Sequence, residues 1–315
     1  MSEHDVTFES MGCAIRLIVG EPLDPRLPDA AAAVAEAQRW LHRFDARLSR
    51  FRLDSELCAL NADAREEVPA SALLRAAVAA GVWAAERSGG LVDPTLMREI
   101  EEAGYARSLA PHAQLASLED ALAWAPLPRP AAPSTAATWR AVHVDEDAGV
   151  IRRPAGVRID SGGTGKGLAA DALAHRLAGY SRVVVDCGGD IRVTGAAEIQ
   201  IEHPLSGEPI VAFDLRDGAV ATSGIDRRIW RTDGGEYAHH LIDPSTGTPA
   251  WTGVIQASAL APTALEAETL SKTALLSGPR AGRRILEASG GAIVHDDGSV
   301  ETVGALAAIA TPVAA

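Results

Sequence analysis

From Trp139 onward the chain is cut into short runs of β-type residues, AVHV, GVIR, GVRI, SRVVVD, DIRVTG, EIQIE, IVAFDL and AVATSG. Gly, Asp and Pro separate them at hairpin-like intervals. Helical patterns interrupt this series at Lys166 to Leu177, Leu265 to Leu276 and Pro279 to Ala288. Such an order favours an α+β fold, antiparallel sheet with packed helices, over a regular βαβ alternation.

The N-terminal third is mostly helical. Val6 to Phe8 and Cys13 to Val19 alternate as a strand pair joined near Ser10 and Met11. Asp29 then caps an alanine-rich helix to about Leu48. Asp54 or Ser55 caps a short helix through Leu60, and Ser71 caps another to about Arg87 that ends at Gly89 and Gly90. Residues 104 to 140, with APLPRPAAPSTAAT, read as an irregular Pro/Ala-rich connector.

Several function classes are disfavoured. Lys plus Arg number 29 against 42 Asp plus Glu, so a net charge of -13 repels polyanions and argues against nucleic acid as partner. No run of about 18 apolar residues indicates a membrane span. The first residues, MSEHDVTFES, carry acids where a signal peptide has basic residues, which leads to an expectation of cytoplasmic location. Cys13, Cys58 and Cys187 are scattered, with no C-x-x-C spacing. No G-x-G-x-x-G opens a helix after an early strand, which disfavours a dehydrogenase.

The stretch IDSGGTGKGLAADAL (Ile159 to Leu173) puts a glycine-rich turn and Lys166 at the start of a helix. It is not a Walker A loop: Asp160 stands where the first glycine is required, and Gly167 stands where the Mg²⁺-binding hydroxyl is required. The turn can present backbone N–H groups and a helix N-terminus to an anion, or it can serve only to pack. Other glycine or proline turns flanked by polar residues, SGGLVDPTLM, DCGGDIRVTG, AVATSGIDRR and HHLIDPSTGTPA, suggest a site assembled on loops.

Taken in order, these stretches resemble the FAD:protein FMN transferase family, the ApbE-like flavin transferases. The matching segments run from Met11-Gly12 through SRFRLDSELCALNA, GGLVDPT, IDSGGTGKGLAADAL, DCGGDI, ATSG and HLIDPSTGTP to ALEAETLSKTALLSG. The resemblance implies one catalytic domain over residues 1–315, related to the tunnelling fold. It also implies cleavage of FAD and attachment of FMN through a phosphoester to a threonine of an acceptor protein, with release of AMP.

By matching position, Met11, Phe51, Val92, Asp93, Pro94, Asp160, Lys166 and Leu241 would contact FAD. Phe51 replaces a tyrosine common in the family and keeps its capacity to stack. His240, as the general base, and Asp160 would be catalytic. Adjacent residues of an extended segment point to opposite faces, so at most one of His239 and His240 is expected to face the ligand.

The last motif departs from the family. There an Asp and a Thr four residues later, with a backbone carbonyl near Gly163, would hold Mg²⁺. In this chain the two positions are Glu268 and Lys272, and lysine has no acceptor. Three outcomes stay open. The Lys272 ammonium takes the place of the metal, or Mg²⁺ binds by a displaced route through Glu268 or Thr273, or the chain binds flavin and transfers nothing. FAD hydrolysis and a non-catalytic flavin-binding protein are therefore the alternatives to transfer.

Overall fold

The computed structural model describes residues 3–108, 116–232, 234–309 and 311–312. Its frame is an eight-stranded sheet whose strands lie side by side in the order in which the chain makes them. They are His4–Ser10, Cys13–Val19, Val183–Cys187, Asp190–Thr194, Ala219–Gly224, Val254–Ala261, Gly291–His295 and Val300–Val303. Every neighbouring pair is antiparallel, as the run of short β segments predicts.

Both faces of this sheet are covered, which explains runs such as VVV that do not alternate with polar residues. Val183, Val185 and Cys187, with Ile15, Leu17 and Val19, pack under the helices Ala30–Leu48 and Gly165–Arg176 through Leu41, Phe44 and Leu173. The intervening Ile18, Val184 and Val220 face the other way, against Ile199, Val211 and Phe213 of the strand pair Ala196–Glu202 and Pro209–Arg216.

The three N-terminal helices begin at the residues whose side chains can cap them. Asp29 Oδ1 accepts from the Ala32 N–H at 2.8 Å, Ser55 Oγ from Cys58 at 3.0 Å and Ser71 Oγ from Leu74 at 3.2 Å. The first hairpin closes on a two-residue turn, Met11-Gly12, with φ of 53° and 70°. Two positive φ values are what a tight hairpin turn of this twist requires.

Two readings differ from the structure, and one strand had no reading at all. GVRI (156–159) is not a strand, because the backbone of Ile159 is bonded by a side chain instead of a neighbouring strand. The 104–140 connector is not wholly irregular: Ser117 caps a short helix, Leu118–Ala123, and a 3₁₀ turn spans Thr138–Ala141. Residues 109–115 of that connector lie outside the described residues. The strand Val254–Ala261 carries no alternation in its sequence, because it is buried almost throughout and rich in small residues. No helix among the described residues is long and apolar enough to cross a membrane.

Candidate active site

The glycine-rich turn leads into the helix Gly165–Arg176, which lies against the helix Ala264–Leu276 at unusually close range. A Cβ on Gly167 would stand 2.7 Å from the Ala264 carbonyl oxygen, so only glycine fits. The approach lets the Gly167 N–H donate to Glu268 Oε2 at 2.9 Å. Glu268 is thus the anion that the helix N-terminus receives from within the protein. Its other oxygen, Oε1, accepts from Lys272 Nζ at 2.7 Å, one turn along the same helix. Glu268 is fully buried. Burial, followed by the nearby Asp190 carboxylate, holds its proton affinity above the usual carboxylate range against the pull of Lys272 and Lys166.

Lys166, the second residue of that helix, places Nζ 2.6 Å from Asp190 Oδ2. Asp190 is itself fully buried and follows the Gly188-Gly189 turn, whose φ values are 66° and 94°. A Cβ at Gly188 would lie 2.7 Å from Cys13 Sγ, so the paired glycines let this turn press on the first hairpin. Although burial opposes the charge on Lys166, the Asp190 and Glu268 carboxylates outweigh it and raise its proton affinity.

The adjacent histidines part as their extended backbone requires. His239 is fully buried, packed edge-on against Trp251 with ring centroids 4.7 Å apart, and its Nδ1 accepts the Leu241 N–H at 3.3 Å. Burial pushes its pKa down to about 3. His240 lies within electrostatic reach of Lys272 and Lys166, and its buried Nδ1 has no hydrogen-bond partner among the described residues. Burial first, then the positive charges of Arg228, Lys272 and Lys166 and the neighbouring His239, hold its pKa well below the ordinary imidazole value. Lys166 and His240 therefore share one electrostatic neighbourhood, and His240 is neutral at pH 7.

Of the remaining predicted residues, Phe51 belongs to an aromatic and cationic wall that Asp160 and the loop at residues 92–94 adjoin. The Arg50 guanidinium lies 4.2 Å from the Phe51 ring centroid and 4.5 Å from that of Tyr105, and Tyr105 continues to Trp230 at 5.4 Å. Arg50 Nε is 3.7 Å from Asp160 Oδ2, while its Nη2 is buried without a partner among the described residues. Asp160 Oδ1 accepts the Gly162 N–H at 2.9 Å, and the Asp160 N–H donates to the Pro94 carbonyl at 2.8 Å. This bond lays the Val92-Asp93-Pro94 loop on the glycine-rich turn, with Val92 Cγ1 3.7 Å from where a Gly163 Cβ would be. Asp93 Oδ1 accepts from the Thr95 N–H and hydroxyl, and burial raises its proton affinity.

The Met11 turn reaches the same wall: Arg228 Nη2 is 3.8 Å from the Cβ position on Gly12, and the guanidinium is 5.8 Å from the Tyr105 centroid. Leu241 stands apart, its side chain buried in the core with Ile225, Ile229 and Val254. A cleft of ≈ 1310 Å³ lined by Thr95, Glu99, Glu102, Thr246 and Trp251 shares only Asp93 with the predicted set.

Sequence reasoning singled out neither Arg50, Arg228 nor Asp190, and it passed over Tyr105 and Trp230. Arg50, Asp190 and Arg228 lie inside quoted stretches, SRF, DCGGDI and AVATSGIDRR, where their types gave a signal. Tyr105 falls in the segment read as connector, and only tertiary packing brings it to Phe51 at 5.3 Å.

A divalent cation does not fit the expected ligands. Lys272 offers only donors where the family has an oxygen ligand, and its ammonium sits 2.7 Å from Glu268 Oε1, where a cation on that oxygen would meet a like charge; the other Glu268 oxygen takes the Gly167 N–H. Among the described residues no group of three or more His, Cys, Asp or Glu side chains could hold a metal ion.

Comparison with known proteins agrees with this arrangement of segments. The profile of the ApbE family matches residues 11–294. The FAD:protein FMN transferase of Treponema pallidum (strain Nichols) is 30% identical over 295 residues, spanning 84% of this chain and 76% of the relative. The protein of that name from Escherichia coli (strain K12) is 30% identical over 145 residues, 43% of this chain and 41% of its own. Among solved structures, the ApbE protein from Thermotoga maritima superposes with a TM-score of 0.80 at 23% identity, covering 98% of this chain and 99% of the other. The apo form of Pseudomonas stutzeri flavinyl transferase ApbE gives 0.76 at 22% identity, with 98% and 96% covered. At those identities the two structures speak for the fold, the mixed helices and antiparallel sheet described above. Because the profile spans most of the sequence and the Treponema relative aligns over most of both chains, this chain belongs to the ApbE family.

Proposed function

We propose that this chain is an FAD:protein FMN transferase that moves FMN from FAD to a threonine hydroxyl of an acceptor protein. The observation that carries the reading is His240: a neutral imidazole with an unpartnered buried nitrogen, set among Arg228, Lys166 and Lys272. That combination serves a proton acceptor beside an anion. The family relatives named FAD:protein FMN transferase supply the substrate class.

In this reading the wall of Phe51, Tyr105 and Trp230 stacks a ring system of FAD, and Arg50 and Arg228 reach its phosphates. The acceptor hydroxyl oxygen attacks the phosphorus on the FMN side of the pyrophosphate. An oxygen–phosphorus bond forms there, the bond from that phosphorus to the bridging oxygen breaks, and AMP leaves with the bridging oxygen. The hydroxyl proton passes to His240, a role worth typically 10²–10⁴ in rate. Asp160 holds Arg50 and, through Pro94, the loop at residues 92–94. Leu241 acts through its backbone, which fixes His239 and so the direction of His240.

We place the reaction in a reducing compartment such as the cytoplasm, in keeping with three cysteines that are all free. Incubation with FAD and a threonine-containing acceptor, followed by intact-mass spectrometry, tests the proposal. The acceptor should gain the mass of phosphoester-linked FMN with one AMP released per transfer. AMP without a labelled acceptor would indicate hydrolysis, and neither product would indicate a flavin binder; either result overturns the reading.

A further inference from the structure

Lys272 is buried on the helix Ala264–Leu276 and is bonded to Glu268, which the neighbouring helix start also holds. An ammonium has three donors. Lys272 donates one to Glu268 Oε1 at 2.7 Å, Lys166 forms an ion pair with Asp190 at 2.6 Å without a well-aligned hydrogen bond, and neither has another hydrogen-bond partner among the described residues. The two side chains keep 10% and 21% of their exposure. Both ammonium groups act electrostatically on His240, as Arg228 does, so their remaining N–H donors belong to the neighbourhood that His240 and Arg228 share. A lysine placed only to neutralise Glu268 would not need to do so in company with a second ammonium, a guanidinium and a base.

We propose that Lys272 and Lys166 form a two-ammonium clamp for the pyrophosphate, so that FAD cleavage by this chain needs no divalent cation at Glu268. The inference rests on the transferase reading for the identity of the anion. Lys272 is supplied by the chain itself, one helical turn from the carboxylate that orients it. The clamp is fixed before substrate arrives, which is the arrangement in which a charged donor stabilises developing negative charge without reorganising. Asp190 and Glu268 serve as positioning residues that aim the two ammonium groups.

The test measures cation binding separately from turnover. Mn²⁺ titrated into the FAD-loaded wild-type protein and followed by electron paramagnetic resonance should show no stoichiometric site. The double variant Glu268→Asp with Lys272→Thr should gain one equivalent of bound Mn²⁺ per chain. In parallel, AMP release by wild type should be unchanged by EDTA, whereas Lys272→Met should lower it about 100-fold. One tightly bound Mn²⁺ in the wild type, or loss of its AMP release in EDTA, would overturn the clamp. Should the double variant fail to fold, the wild-type titration alone still decides. Should the wild type release no AMP under any condition, the transferase reading fails, while the Mn²⁺ result still bears on the cation site.

Discussion

Asn61 clasps the main chain of Ile159 in both directions: its Nδ2 donates to the Ile159 carbonyl at 2.8 Å and its Oδ1 accepts the Ile159 N–H at 2.8 Å. The next residue is Asp160, so this side chain from the helix Glu56–Ala62 sets where the glycine-rich turn begins. Asn61→Leu should cost about 2–4 kcal/mol, because two hydrogen bonds are lost and two backbone groups are left unpaired. A lower urea midpoint at constant m would report it. FAD affinity, followed by flavin fluorescence, should fall at the same time. Unchanged affinity in a destabilised variant would mean that the turn's position does not matter to the ligand.

The depressed proton affinity of His240 has a kinetic signature. The acid limb of kcat/KM reports the essential base in the free enzyme, and for this chain it should lie below the ordinary imidazole range near pH 6.5. His240→Gln should lower kcat by about 10²–10⁴-fold. Arg228→Met removes one of the positive charges that keep the ring neutral, so the limb should move toward higher pH. An acid limb that stays in place in Arg228→Met would exclude this coupling.

Much of the frame was legible because its signals are local. Asp29, Ser55 and Ser71 announce helix starts through bonds to residues three positions on, and AVATSG coincides with the strand Ala219–Gly224. GVRI misled for the opposite reason, since the partner of Ile159 comes from 98 residues away and is a side chain. The site divides in the same way. Lys166 and His240 could be picked out from motifs, but the contacts that give them their properties, Asp190 at 2.6 Å from Lys166 and Arg228 near His240, exist only after the sheet has closed. Glu268 and Lys272 could be read as an i,i+4 pair from spacing alone. That the second Glu268 oxygen is taken by Gly167 could not.

His239 makes a prediction about acid stability. Its folded pKa, about 3, lies below its unfolded value near 6.5. Below pH 6.5 the unfolded chain binds a proton that the folded chain refuses, so stability is full above that pH and is lost as the pH falls toward 3. The slope is at most about 1.4 kcal/mol per pH unit. In His239→Asn, whose side-chain oxygen can still accept the Leu241 N–H, the decline in Tm between pH 6.5 and 4 should be shallower. An identical decline would assign the acid sensitivity to other groups, among which His240 comes first.

Met11 holds a φ of 53°, a left-handed conformation that a long side chain adopts at a cost of about 1 kcal/mol. Its N–H is anchored by Asp45 Oδ2 at 3.2 Å, and the turn it forms abuts Arg228. Asparagine tolerates this backbone region better than methionine does. Met11→Asn should therefore trade relief of strain against lost packing, leaving Tm little changed. If the methionine is retained there to touch the flavin nucleotide, the Kd for FAD should rise at least about tenfold, equivalent to about 1.4 kcal/mol. Calorimetric titration beside a thermal melt separates the two effects. An unaltered Kd would place the Met11 side chain outside the ligand pocket and leave the hairpin's twist as the reason for its strained backbone.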